Sequence, residues 1–259
     1  MAKLKLILFG VLVSFSLFAA GERAGFAPVS ETYPNQGGVL FPGIPSAAGV
    51  NAAALGRTAA GPMAQLAYTP ALKKGESSGY SFGFAGTQKS FGLGLGARGT
   101  HQNGTGDDSV FGGIGTSMEM ISLGVSVRAE SLRNNPQAEV DFGLIIGEAT
   151  GFTGGIVLYN LDESARTAVG FGYRGGEKYN LEATLLLPHF SDPTENYTIT
   201  LSSSFHAKWL SLHFRTSYQT VVKAHRQTVA ATVWVNPDYN LVFQFASPSR
   251  WTFALAVNF

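Results

Sequence analysis

Apolar and polar residues alternate in short runs through residues 62–259. At the C-terminus Trp251, Phe253, Leu255, Val257 and Phe259 share one face, and Thr252, Ala254, Ala256 and Asn258 the other. Tyr197, Ile199, Leu201, Ser203 and Phe205 alternate with Thr198, Thr200, Ser202 and Ser204. Leu210, Leu212 and Phe214 alternate with Ser211, His213 and Arg215, and Ile121, Leu123, Val125 and Val127 with Ser122, Gly124, Ser126 and Arg128. Period two over about ten residues is a β-strand with one apolar face.

Such runs fall near 62–70, 78–86, 89–98, 108–116, 119–129, 138–147, 152–160, 166–174, 178–187, 196–205, 208–218, 227–235, 239–246 and 250–259, which makes fourteen strands, with twelve as the alternative. Between them, mostly longer polar connections at 99–107, 130–137, 161–165, 188–195, 219–226 and 247–249 alternate with tight ones around Thr87-Gln88, Ser117-Met118, Ala149-Thr150, Gly175-Gly176, Ala207 and Pro237-Asp238. Short turns on one rim and longer loops on the other are the asymmetry of a transmembrane antiparallel β-barrel. Tyr68, Tyr80, Tyr173, Tyr179, Tyr197, Trp209, Tyr218, Tyr239 and Trp251 lie near strand ends, where interfacial aromatic girdles belong. A soluble sandwich also alternates, but this even rhythm and these terminal aromatics favour closure in lipid.

Of 259 residues 45% are hydrophobic and 14% charged, yet after residue 21 no window reaches the eighteen apolar residues of a membrane helix. Spreading apolar residues along the chain is what alternate lipid-facing positions require. Lys3 and Lys5, the apolar run Leu6 to Phe18 and the small residues Ala19-Ala20-Gly21 read as a secretory signal over 1–21. Its removal changes the formal charge from +1 to −1, a balance that offers nothing to nucleic acid. There is no Cys, hence no disulfide framework, thiolate metal site or lipoprotein anchor. The C-terminal run ending on Phe259 resembles the recognition signal of bacterial outer-membrane barrels, so Trp251, Phe253, Leu255, Val257 and Phe259 are expected to be read by the barrel-assembly machinery. The expected location is the bacterial outer membrane, in contact with its lipid.

Residues 22–61 break the pattern. Pro28, Pro34, Pro42 and Pro45, with Gly37, Gly38 and Gly43, exclude a regular strand or long helix. A periplasmic tail is one reading, but disordered segments are usually charged and poor in apolar residues. A plug folded into the lumen of the barrel at 62–259 is the preferred one, with Asn51, Ala53 and Leu55 inside. Inward rows of glycine, such as Gly92, Gly94 and Gly96, and Gly83, Gly124, Gly143, Gly170 and Gly172, admit two explanations: close approach of another backbone, or relief of strand curvature.

Arg98, Arg128, Asp141, Glu182, His213 and Arg215 fall on the polar faces and are expected to face the lumen, because charge at mid-depth in lipid costs about 2–4 kcal/mol. They form either an internal bonded network or a selectivity element. Ser211 and His213 share a face but have no orienting acid, and His101, His189, His206 and His225 lie in or beside connections with no ligand partner at metal spacing. No catalytic, cofactor or metal site is expected; the acidic patches Asp107-Asp108 and Asp192 to Glu195 read as solvated loop charge.

Gly49-Val50-Asn51-Ala52-Ala53-Ala54-Leu55-Gly56 resembles the Asn-Pro-Ala segment of the long-chain fatty-acid transporter family, and Ile156-Val157-Leu158-Tyr159-Asn160-Leu161 is similar to a strand end in the same family. The resemblance implies an N-terminal hatch in a fourteen-strand barrel and passive uptake of a small hydrophobic solute. Two departures bear on substrate: Ala52 stands where the family has Pro, and the chain is much shorter than a typical member, so its external loops are expected to be too small for the family's ligand-capture groove. A structural or docking barrel is the alternative role.

Overall fold

The computed structural model describes residues 39–42, 44–57, 61–71, 78–102, 105–130, 132, 136–148, 150–161, 166–176, 178–187, 197–221, 223–247 and 250–259. The expected signal at 1–21, the first part of the expected plug, His189 and the 192–195 patch lie outside these residues.

Fourteen strands follow one another: β1 (Met63–Thr69), β2 (Ser78–Gln88), β3 (Phe91–Gln102), β4 (Thr105–Met118), β5 (Ile121–Glu130), β6 (Gln137–Gly147), β7 (Gly151–Tyr159), β8 (Arg166–Gly175), β9 (Tyr179–Leu186), β10 (Thr198–His206), β11 (Leu210–Gln219), β12 (Ala224–Asn236), β13 (Tyr239–Ala246) and β14 (Arg250–Asn258). Each pairs antiparallel with its sequence neighbours, and β14 pairs with β1 from Met63↔Asn258 to Tyr68↔Phe253, so the sheet closes on itself and has no edge. The strand count of fourteen therefore stands over twelve. Among the described residues no helix is long and apolar enough to cross a membrane.

Two connections differ from expectation. Residues 99–107 are mostly strand, since β3 runs to Gln102 and β4 starts at Thr105, and 219–226 is a turn, since β12 starts at Ala224. Outward Asp108 and His225 looked like loop because these strands extend past the apolar belt, where outward positions are free to be polar; Thr100, Asp107 and Arg226 beside them lie on the inward face. His206, the last residue of β10, lies beside the Ala207 connection as expected, whereas His101 and His225 fall within β3 and β12.

The two faces separate as the period of two requires. Leu93, Leu95, Ile121, Leu123, Val125 and Val127 point outward and are exposed. Gly92, Gly94, Ser122, Gly124, Ser126 and Arg128, between them, point inward and are buried. In water the outward faces would be a large exposed apolar surface; around a closed barrel they are the lipid contact. The tight rim uses left-handed turn residues, Lys89 at φ 56° and Glu119 at φ 48°. Gly147 at φ 135° has no alternative, because a Cβ there would run into Phe152 O.

The hydrophobic core lies inside the barrel. Val39, Leu40, Ala47, Ala48, Val50, Ala52, Ala53, Ala54 and Leu55 cluster with inward-facing Ala85, Phe111, Ile145, Val157, Tyr159 and Ala168. Before β1 the chain makes one short helix, α1 (Ile44–Val50), then a 3-10 turn, Ala52–Arg57.

Candidate functional site

The lumen and the N-terminal segment at 39–57 form one site. The segment is built of small residues, and the wall opposite gives up its side chains. A Cβ on Gly94 would lie 2.9 Å from the Ala48 Cβ. On Gly113 it would lie 3.2 Å from both Ala48 O and the Ala52 Cβ. On Gly92, Gly115, Gly124 and Gly143 it would run into Leu55 O, Ala52 O, Ala53 N and Asn51 Oδ1 in turn. Gly170 and Gly172 face Val39, Leu40 and Phe41 in the same way. Close approach of the segment thus accounts for these inward glycines, by its backbone on β3, β4 and β5 and by its side chains on β6 and β8.

Polar contacts fasten the segment. Asn51 is buried; its Nδ2 donates to Val39 O at 2.8 Å and its Oδ1 accepts from Ala53 N at 3.1 Å, so one amide fixes the turn between α1 and the 3-10 segment. Ala53 and Leu55 are fully buried against the wall. The Tyr159 hydroxyl donates to Val50 O at 2.9 Å. The Glu182 carboxylate accepts from Leu40 N at 2.9 Å, from Phe41 N at 3.4 Å and from the Thr184 hydroxyl at 2.9 Å. At the tight rim Arg57 Nη2 donates to Gly147 O at 2.7 Å and Glu148 O at 2.6 Å.

The other charged positions point to the same lumen. Arg98 pairs with Glu130 at 2.6 Å and donates to the Ser109 hydroxyl. Arg128, 1% exposed, pairs with Glu139 at 2.7 Å and Asp141 at 3.2 Å. Asp141 also accepts from Asn160 N at 2.9 Å, and Asn160 turns out of β7 at φ 53°. These groups on β3, β5 and β6 form a bonded network in which opposite charges are paired inside the wall.

His213 and Arg215 lie on the inner face of β11. His213 packs edge-on against His206 at 5.6 Å. Ser211 contacts His206 Nδ1 at 3.0 Å rather than His213, while His206 Nε2 faces Ser204 at 3.2 Å and Asn180 at 3.4 Å. A serine–histidine pair needs an acid to orient the ring; here Asn180 and Ser204 take that place, and the cluster reads as lumenal polarity. No group of three metal-ligating side chains occurs among the described residues.

The C-terminal strand closes the wall. Trp251, Phe253, Leu255 and Val257 point outward, and exposed Phe259 donates its N–H to Pro62 O at 2.9 Å.

Sequence reasoning missed Val39, Leu40, Arg57, Glu130, Glu139 and the lumenal role of Tyr159. One signal was available. Ile145-Ile146, Ile156-Val157-Leu158 and Leu185-Leu186-Leu187 interrupt the alternation, and a strand apolar on both faces is covered on both. Ile145 and Val157 are the inward members that pack on the segment, and Leu186 packs beside them.

No family model matches the chain, and no curated protein does. Solved structures do. The Ralstonia pickettii toluene transporter TbuX aligns at TM-score 0.62 and 11% identity, over 91% of this chain and 99% of that one. A mutant of Rh. blastica porin aligns at 0.48 and 9%, over 76% and 98%. The likeness to TbuX is one of fold: a closed transmembrane β-barrel.

Proposed function

We propose that this chain is an outer-membrane barrel for passive uptake of small or hydrophobic solutes, gated by residues 22–61. The observation that carries the reading is the seat of residues 39–57. They lie in the lumen against a wall cleared of side chains, and the hydrogen bonds holding them at Glu182, Tyr159 and Arg57 can open without breaking the barrel. The neutral Tyr159 bond contributes about 0.5–1.5 kcal/mol, and those at the charged Glu182 and Arg57 about 1.5–3 kcal/mol each. Fold likeness to a toluene transporter supports a hydrophobic solute and the kinship with long-chain fatty-acid transporters that the Gly49–Gly56 stretch suggests. In this reading residues 1–21 direct export, and the strand ending at Phe259 is read by the assembly machinery.

Conductance of reconstituted full-length chain and of a 22–61 deletion tests this. The deletion should raise conductance severalfold. A second reading rests on the tightness of the same seat: a barrel with a fixed filling acts as a structural or docking element, and the deletion would then leave permeability unchanged.

A further inference from the structure

We propose that Arg57 and Arg174 form an oxyanion site on the seam between the N-terminal segment and the wall, at the tight-turn rim of the lumen. Arg57 is held by Gly147 O and Glu148 O in the β6–β7 turn. Across β7, Gly151 pairs with Arg174 of β8, so the two guanidinium groups come from adjoining places. Each is already oriented. Arg57 uses Nη2 on two carbonyls, and Arg174 lays its guanidinium over the Phe41 ring at 4.7 Å while its Nε donates to Asn180 Oδ1 at 3.1 Å. Asn180 is braced in turn by the Ser204 hydroxyl at 3.1 Å.

What this pair lacks is an anion. No carboxylate pairs with Arg57 or Arg174 among the described residues. Glu148 presents only its carbonyl to Arg57, and Glu182 is occupied by Leu40 N, Phe41 N and Thr184. Arg57 Nη1 is buried with no hydrogen-bond partner. Burial, and then the Arg174 charge, hold the Arg57 guanidinium below its usual value, so each cation burdens the other. A buried donor without a partner beside a like charge is costly, and an oxyanion relieves both at once. Guanidinium forks match the paired oxygens of phosphate and carboxylate alike. Bound there, the anion bridges plug to wall.

Calorimetric titration of the detergent-solubilised full-length chain at constant ionic strength tests the site, with sodium phosphate in one arm and sodium acetate in the other. Saturable binding of at least one is expected; the arm that binds identifies the geometry, tetrahedral or planar. Arg174→Gln should weaken that binding by about tenfold or more, Arg174→Lys should restore part of it, and Lys89→Gln on the same rim should leave it unchanged. Arg174 also stacks on Phe41 of the plug, so Arg174→Lys, which keeps a cation over that ring, controls for loss of the contact, and unheated gel migration verifies that the barrel is closed. No saturable heat with either anion, or equal binding by Arg174→Gln, overturns the proposal. The site does not depend on the gating reading, which conductance tests separately.

Discussion

Gly124 shows how a single residue connects wall and plug. Its missing Cβ is the space that Ala53 N and the Ala52 carbonyl carbon occupy. Backbone on both sides leaves no flexible end to give way, so Gly124→Val should displace the segment rather than be absorbed. Overpacking of this kind costs about 1–3 kcal/mol. A Cys at Ala53, inert to a bulky water-soluble thiol reagent in the parent, should become reactive in the Gly124→Val background while the barrel still runs as a folded species. Equal protection in both backgrounds would mean that the glycine is not needed for the seat. The glycine positions were legible in the sequence, but their purpose was not, because a row of glycine fits curvature as well as contact. Asn51 was legible as a donor and acceptor inside an uncharged stretch; its partner Val39 was not, since nothing in the Pro- and Gly-rich run marks which residue turns back.

Among the elements, the strands were the most legible part, because each carries its own alternation and every inward residue forces its neighbours outward. The strand ends at 99–107 and 219–226 were misread for a physical reason: above the lipid belt the outward face no longer has to be apolar, so the signal fades before the strand does. The depth of the belt gives a graded test. Leu123→Arg, in the middle of β5, should destabilise the barrel by about 2–4 kcal/mol, and Met118→Arg, at the end of β4, by about 0–1 kcal/mol. Denaturant unfolding in lipid vesicles reads both. If the order is reversed, the assigned belt is wrong. At β14, Phe259 is exposed and bonds to Pro62 only through its backbone, so its ring adds little to the finished fold. Deleting Phe259 should lower outer-membrane levels and leave periplasmic aggregate, with unchanged unfolding of whatever protein does assemble. Normal levels would remove the assembly-signal reading.

For the whole molecule, the contrast is between a barrel closed by its own strand pairing and a segment that fills part of it. Every strand is paired with two neighbours, so the backbone hydrogen bonds of the wall are made without the segment. The plug supplies most of the buried core, yet the described contacts that fasten it are hydrogen bonds and packing. The proposed gating requires the segment to leave its seat, and a tether tests that most directly. The chain has no Cys. A Cβ on Gly113 would lie 3.2 Å from the Ala52 Cβ, a few tenths of an ångström short of the range a disulfide spans. In the double variant Ala52→Cys, Gly113→Cys, reconstituted in vesicles, uptake of a small hydrophobic solute should be blocked when the pair is oxidised and should return when a reductant is added. Equal uptake in the oxidised and reduced protein would contradict the account, because passage would then proceed with the plug locked in its seat.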